Sequence, residues 1–227
     1  MSCPINAILE GFYEANTTMA DLKAKGNFGI GTFNDLDGEL VLLDDVVYQL
    51  DVDGNAHPVA DDQKTPFACS CAFEPISEEN FTHGYPHEAF NTFLLSLLPS
   101  PNMLYAIRVD GLFKYVRTRS VPRTQNYTPL VDATAVQVES SFEDIEGTLV
   151  GFYTPGFIPS VNVPGFHFHF LTNDKSRGGH LLECHPLKGK IGVQFHTRLD
   201  LNLPITLDYL SADFQRHAEK DLEQAER

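Results

Sequence analysis

No apolar run in this chain of 227 residues approaches the ~20 residues that a membrane-spanning helix needs. Basic residues are scarce: 16 lysines and arginines stand against 31 aspartates and glutamates, a formal net charge of −15. That field argues against nucleic acid and anionic membrane surfaces as partners. It does not argue against a small anionic substrate, because a local site can oppose the global charge. Cysteine is sparse too. Cys3, Cys69, Cys71 and Cys184 form no CxxC pair and lack the density of a disulfide scaffold. Reduced thiols in a cytoplasmic protein are the expected state. The start, Met1-Ser2-Cys3-Pro4-Ile5-Asn6, lacks the basic n-region and apolar core of a secretory leader. Internal repeats, low-complexity tracts and a glycine-rich dinucleotide or phosphate loop are also missing from the sequence.

What is present is an ordinary globular composition, 42% apolar and 21% charged. The length suits one or two domains with a sizeable core. Strand patterns fall at residues 28–33, 39–43, 46–50, 67–73, 103–109, 113–118, 148–153 and 190–196. Asp37-Gly38, Asp44-Asp45 and Asp110-Gly111 sit at the reversals. Thr18 can cap a short helix over 18–26 that Gly26 closes. Over 86–98, Phe90, Phe93, Leu94, Leu97 and Leu98 recur at spacings of three and four, and Pro99 stops that helix. A terminal helix over 211–225 carries Phe214, Ala218, Leu222 and Ala225 on one stripe. Residues 131–138 read as a further helix, and 5–15 fit either a strand or a short helix. Pro122 and Pro129 bracket a loop that serves as a domain boundary, giving units 1–125 and 126–227. The pattern predicts a β-rich α+β protein with a few helices.

One stretch carries chemistry. In Gly165-Phe166-His167-Phe168-His169-Phe170, alternate side chains of a strand point to opposite faces, so three phenylalanines share one face and two imidazoles the other. The polar run 172–179 ends in Gly178-Gly179, which is turn chemistry. A hairpin there brings His180 beside the first pair. Three neutral imidazoles with a fourth position open suit a catalytic zinc ion. A lone histidine on such a strand is usually a core or surface residue, so geometry has to decide. Cys184 competes as a ligand, because strand parity places it on the face of His180. Elsewhere the signals are weaker. Glu39 after a turn and Thr32 in a strand carry little alone. Arg117 and Arg119 share a strand face and read as a solvated basic face or as a fixed guanidinium for a carboxylate. In the terminal helix Glu226 lies nearest the apolar stripe and Glu223 nearly opposite. The remaining histidines lack a second member at ligand spacing.

In order, several of these stretches resemble the alpha-acetolactate decarboxylase family. The matching residues are Gly31-Thr32-Phe33-Asn34-Asp35-Leu36-Asp37-Gly38-Glu39, Thr65-Pro66-Phe67-Ala68, Tyr105-Ala106-Ile107-Arg108 and the 114–122 run with Arg119. Glu146-Gly147-Thr148-Leu149-Val150-Gly151-Phe152 and the histidine stretch through His180 complete them. The resemblance implies zinc held by His167, His169 and His180, with Thr32, Glu39, Arg119 and a C-terminal glutamate at the active site. Glu226 fits that last role best and Glu223 is the alternative. It further implies an N-terminal mixed β-sheet, a C-terminal antiparallel β-barrel-like domain and a homodimer formed through the sheets. The implied reaction is decarboxylation of 2-hydroxy-2-methyl-3-oxobutanoate to (R)-acetoin through a metal-stabilised enediolate, with no organic cofactor. Two alternatives stand beside it. A cupin-like non-haem dioxygenase normally has a glutamate ligand soon after its HxH, where this chain has Thr172, Asn173 and Asp174. A non-catalytic β-rich binding module would merely pack its histidines.

Overall fold

The computed structural model describes residues 1–214, 221, 222 and 225. In chain order the elements are α1 (Ile5–Leu9), β1 (Thr17–Thr18), α2 (Met19–Lys23), β2 (Phe28–Thr32), β3 (Glu39–Leu43), β4 (Val46–Leu50), β5 (Ala56–Pro58), β6 (Lys64–Thr65) and β7 (Ala68–Cys71). There follow β8 (Ser77–Phe81), α3 (His87–Leu97), β9 (Leu104–Ser120), α4 (Leu130–Thr134), β10 (Val138–Thr154), β11 (Gly165–Thr172), β12 (Gly178–His196) and α5 (Leu207–Ser211). The architecture is the expected β-rich α+β.

The smaller sheet runs β5-β4-β3-β2-β7. All four of its pairings are antiparallel, where the resemblance implies a mixed sheet. Asp44 and Asp45, both at positive φ (51° and 67°), form the two-residue turn between β3 and β4 that matches strand twist. The larger sheet runs β11-β10-β9-β12-β8, and β11 also pairs with β12. Its ladder therefore returns on itself in a ring of four strands, with β8 added outside. It takes β8 and β9 from before the 121–129 loop and β10 to β12 from after it.

Strand β9 corrects one expectation. Asp110-Gly111 is not a hinge, because the strand runs through it for 17 residues. Gly111 is paired on both sides, to Gly147 of β10 and Gly189 of β12. A Cβ on Gly111 would come within 2.6 Å of the Lys188 carbonyl, so the glycine allows close approach of backbones rather than reversal. The helix expected at 131–138 shortens to α4, and Val138 already opens β10. Residues 5–9, ambiguous in sequence, are helical. The terminal helix departs from its expected start, because α5 ends at Ser211 and residues 212–214 are not helical; Asp221, Leu222 and Ala225 are helical, and the rest of 215–225 lies outside the described residues.

The two sheets pack face to face. Phe28, Ile30, Val41 and Leu43 of the small sheet meet Ala106, Val150, Phe152 and Leu171 of the large one. The opposite face of the small sheet, with Leu40 and Leu42, is covered by Met19 and Leu22 of α2. Thr18 and Asp21 cap α2 reciprocally, a capping box. The other face of the large sheet buries Phe168, Phe170, Ile107, Val109 and Phe113 under Phe90 and Leu94 of α3. Apolar contact drives all three layers. Phe90 is 1% exposed and its ring meets Phe81 and Tyr85 at 5.7 and 6.0 Å. Truncating it to alanine should lower the free energy of unfolding by about 3–5 kcal/mol. Urea unfolding measures that loss, and the folded fraction should keep normal activity because α3 lies away from the histidines.

Candidate active site

The register of the large sheet assembles the site. Arg119 of β9 lies opposite His180 of β12, which lies opposite His169 of β11. Residues paired across an antiparallel ladder share a face. These three side chains therefore form one row, and His167 joins it two residues along β11. The face they occupy is the one turned to the small sheet, where Val150, paired with His169, and Phe152, paired with His167, also lie. The phenylalanines between the histidines point the other way: Phe168 and Phe170 are buried and Phe166 packs against the same cluster.

The small sheet supplies the opposite wall. Along β3 the odd positions face the large sheet, so Glu39 ends a row with Val41 and Leu43. Thr32 is its cross-strand partner on β2. The reversal between them is longer than Asp37-Gly38 alone: one 3-10 turn, Asn34–Leu36, precedes Gly38. Gly38 has φ +83°, and a Cβ there would meet the Leu50 carbonyl at 2.4 Å. The Thr32 hydroxyl donates to the Gly38 carbonyl at 2.8 Å, which fixes the peptide that leads into Glu39.

His167, His169 and His180 are all buried and each offers a nitrogen within 4.8 Å of the others. Their ring centroids form a near-equilateral triangle with sides of 5.2, 5.0 and 5.4 Å. His169 shares a hydrogen bond of 2.9 Å between its Nδ1 and the Leu40 carbonyl, so Nδ1 carries the proton and donates. That leaves Nε2 as the basic nitrogen, buried and without a hydrogen-bond partner among the described residues. An oriented imidazole with an unused inner nitrogen is the state a metal ligand needs. Burial, and then the positive Arg119, pull the His167 pKa down to about 3. Burial likewise takes His169 well below its ordinary value, with His167 and Arg119 adding to the effect. Both rings are neutral near pH 7, as ligation requires. The donor set therefore fits a divalent metal.

Charge enters as a buried pair. Arg119, 4% exposed, places Nη1 3.3 Å from Glu39 Oε1, and its Nη2 donates to the Ala225 carbonyl at 2.9 Å. Glu39 Oε2 lies 3.5 Å from His169 Nε2. Ile5, Ile8, Leu36, Phe67, Val121 and Leu130 complete an apolar wall around the cavity that Thr32, Glu39, Arg119 and the three histidines share.

The structure thus brings together Thr32, Glu39, Arg119, His167, His169 and His180. Glu226 and Glu223 lie outside the described residues; their neighbour Ala225 is buried and reaches Arg119. Arg117 does not join the site and instead pairs with Glu139 and Glu183 at the surface. Cys184 is removed from the ligand competition. Between Leu181 and Glu183 the β12–β9 register slips by one residue, so Leu182 is extra and parity reverses. Cys184 then lies opposite Val116 in the phenylalanine layer, near His87, and burial raises its thiol pKa to about 12. Sequence reasoning missed the Leu40 carbonyl, which has no side-chain signature, and the apolar wall, whose residues look like any core.

This cavity defines a class: β-rich proteins that hold, between two sheets, a histidine group able to bind a metal ion beside a buried Arg–Glu pair. Comparison with known proteins narrows the class to one family. The family model for alpha-acetolactate decarboxylase matches residues 2–216. The alpha-acetolactate decarboxylase of Methanosarcina mazei is 41% identical over 224 residues, 98% of this chain and 78% of that one. That of Bacillus licheniformis is 40% identical over 212 residues, 93% and 84% of the two chains. The crystal structure of alpha-acetolactate decarboxylase from Bacillus subtilis strain 168 superposes with a TM-score of 0.96 at 35% identity, covering 99% of this chain and 97% of that one. The chain belongs to the alpha-acetolactate decarboxylase family, and it is a carboxy-lyase. The dioxygenase and the non-catalytic module give way to that assignment. Asp174, the carboxylate in the dioxygenase window, instead accepts from Thr172 and Ser176 within the hairpin turn.

The neutral histidines set a pH dependence. An unfolded histidine takes a proton below about 6.5, whereas folded His167 resists until about pH 3. The folded state thus gains from His167 above pH 6.5 and loses that gain as pH falls through the window down to about 3. Chelator-treated protein should therefore show a falling thermal midpoint between pH 7 and pH 5, and His167→Gln should flatten that slope.

Proposed function

We propose that this enzyme converts 2-hydroxy-2-methyl-3-oxobutanoate to (R)-acetoin and CO2 with zinc held by His167, His169 and His180. The observation that carries the reading is the convergence of three buried imidazoles, with His169 oriented by the Leu40 carbonyl so that Nε2 is left for a metal. Zinc bound there supplies a Lewis acid that draws electron density from the substrate ketone.

The remaining work falls to side chains of this chain. Arg119 holds a fixed positive charge in a cavity walled by apolar groups, where charge interactions are strong. It binds the substrate's oxygens and stabilises negative charge that develops on them. The bond between the carboxylate carbon and C2 breaks, CO2 leaves, and the electron pair spreads from C2 to the neighbouring ketone oxygen. Glu39, paired with Arg119 at rest, takes up one proton from solvent and delivers it to C2, and acetoin forms. Glu226 is the second acid, on the strength of the family resemblance alone. Thr32 steadies Glu39 through its bond to Gly38. Ile5, Ile8 and Phe67 receive the methyl groups and exclude water. We further read the enzyme as a cytoplasmic homodimer. Its four free cysteines suit a reducing compartment, and among the described residues no helix is long and apolar enough to cross a membrane.

Acetoin release from racemic substrate, measured with metal content, tests the reading. The wild type should carry about one zinc per chain. His169→Ala should lose both the metal and the activity, and retention of full zinc and full turnover in that variant would sink the assignment. Glu39→Gln should keep its zinc and lose about 10²–10⁴ in kcat. Glu226→Gln, assayed alongside, shows which carboxyl serves C2.

A further inference from the structure

The site is built from two separate pieces. Glu39 and the Leu40 carbonyl belong to the small sheet, while His169 and His180 belong to the hairpin of β11 and β12. Something must hold the hairpin at a fixed height over β3. The turn of the hairpin provides it. Arg177 lies three residues before His180, and its Nε donates to the Gly54 carbonyl at 3.0 Å. Its Nη2 donates to the Asp53 carbonyl at 3.1 Å. Backbone bonds run beside these: Gly178 N–H to the Gly54 carbonyl at 3.0 Å, and Ala56 N–H to the Ser176 carbonyl at 2.8 Å. The guanidinium also stands over the Phe142 ring, 5.6 Å from its centroid.

Both anchor points are themselves cross-linked by hydrogen bonds. The turn that offers the two carbonyls is folded around Asp51, whose Oδ1 accepts from the Asp53 and Asn55 amides at 3.0 and 2.8 Å. It follows directly on Leu50, the cross-strand partner of Glu39. On the hairpin side, the Arg177 amide donates to the Thr172 hydroxyl at 3.0 Å, and its carbonyl accepts from the Thr172 amide at 2.9 Å. Three residue pairs further along the ladder stand His169 and His180.

We propose that Arg177 is a positioning residue that clamps the histidine hairpin to the Asp51–Asn55 turn and so sets the imidazoles against Glu39. A guanidinium suits the task because its planar fork reaches two adjacent carbonyls at once, which an ammonium cannot do in the same geometry. The proposal rests on the zinc reading of the site only for its metal-affinity readout.

The test compares wild type, Arg177→Ala and Arg177→Lys. Zinc dissociation is measured by competition with a chromophoric chelator, well below every variant's thermal midpoint. Amide exchange at Ala56 and Gly178 is followed in the same samples, with kcat and KM. Arg177→Ala should bind zinc roughly tenfold more weakly and lose about tenfold in kcat, with KM little changed. Exchange at Ala56 and Gly178 should quicken while amides under α3 stay slow, and Arg177→Lys should recover only part of each loss. Unchanged exchange at those two amides overturns the clamp whatever the metal does. Equal zinc affinity and equal kcat in Arg177→Ala overturn it as well. A wild type that binds no zinc would instead remove the metal reading, and the exchange result would still decide the clamp.

Discussion

Arg119, His180 and His169 stand in one row because the antiparallel ladders of β9, β12 and β11 pair Arg119 with His180 and His180 with His169. A slip of one residue in any of these ladders would turn a side chain from the cavity to the opposite layer. The register is secured by what lies behind it. Phe168 and Phe170 must stay in the layer under α3, and they are too large to exchange places with imidazoles facing the small sheet. Apolar burial on one face therefore fixes polar chemistry on the other.

That chemistry lives in a demanding setting. Burying a guanidinium and a carboxylate is costly unless they are paired, and Arg119 meets Glu39 in the cavity wall while also gripping the Ala225 carbonyl. The pair links three parts of the chain: the small sheet, the large sheet and the last described residue. His167 and His169 avoid a similar cost by staying neutral, and the positive Arg119 helps keep them so. Among the described residues this space holds one fixed charge, one carboxyl and a wall of hydrocarbon.

Much of this was legible in the primary structure. The alternation of His167 and His169 with phenylalanines announced a strand with two unlike faces, and Gly178-Gly179 announced its return. The β3–β4 hairpin and α3 followed from turn chemistry and three-four spacing. The misreadings share a cause: local signals were overruled by neighbours remote in sequence. Asp110-Gly111 looks like a turn until strands on both sides pair with it. Cys184 looked like a ligand because parity assumes an unbroken strand, and a bulge cannot be seen from spacing. The Leu40 carbonyl belongs to the backbone, so nothing in its side chain marks it as the group that orients His169.

The slip at Leu182 decides which layer receives the Cys184 thiol. Carried on without it, the ladder would have set Cys184 opposite Tyr115 on the histidine side of β12. Four residues past His180 it would still stand roughly 13 Å along the strand from the imidazoles, too far to share an ion with them. The cluster's donors are nitrogen alone in either register, a set that suits borderline divalent cations. One supernumerary residue in a strand thus keeps a sulfur atom dry, packed against hydrocarbon instead of turned toward the other sheet.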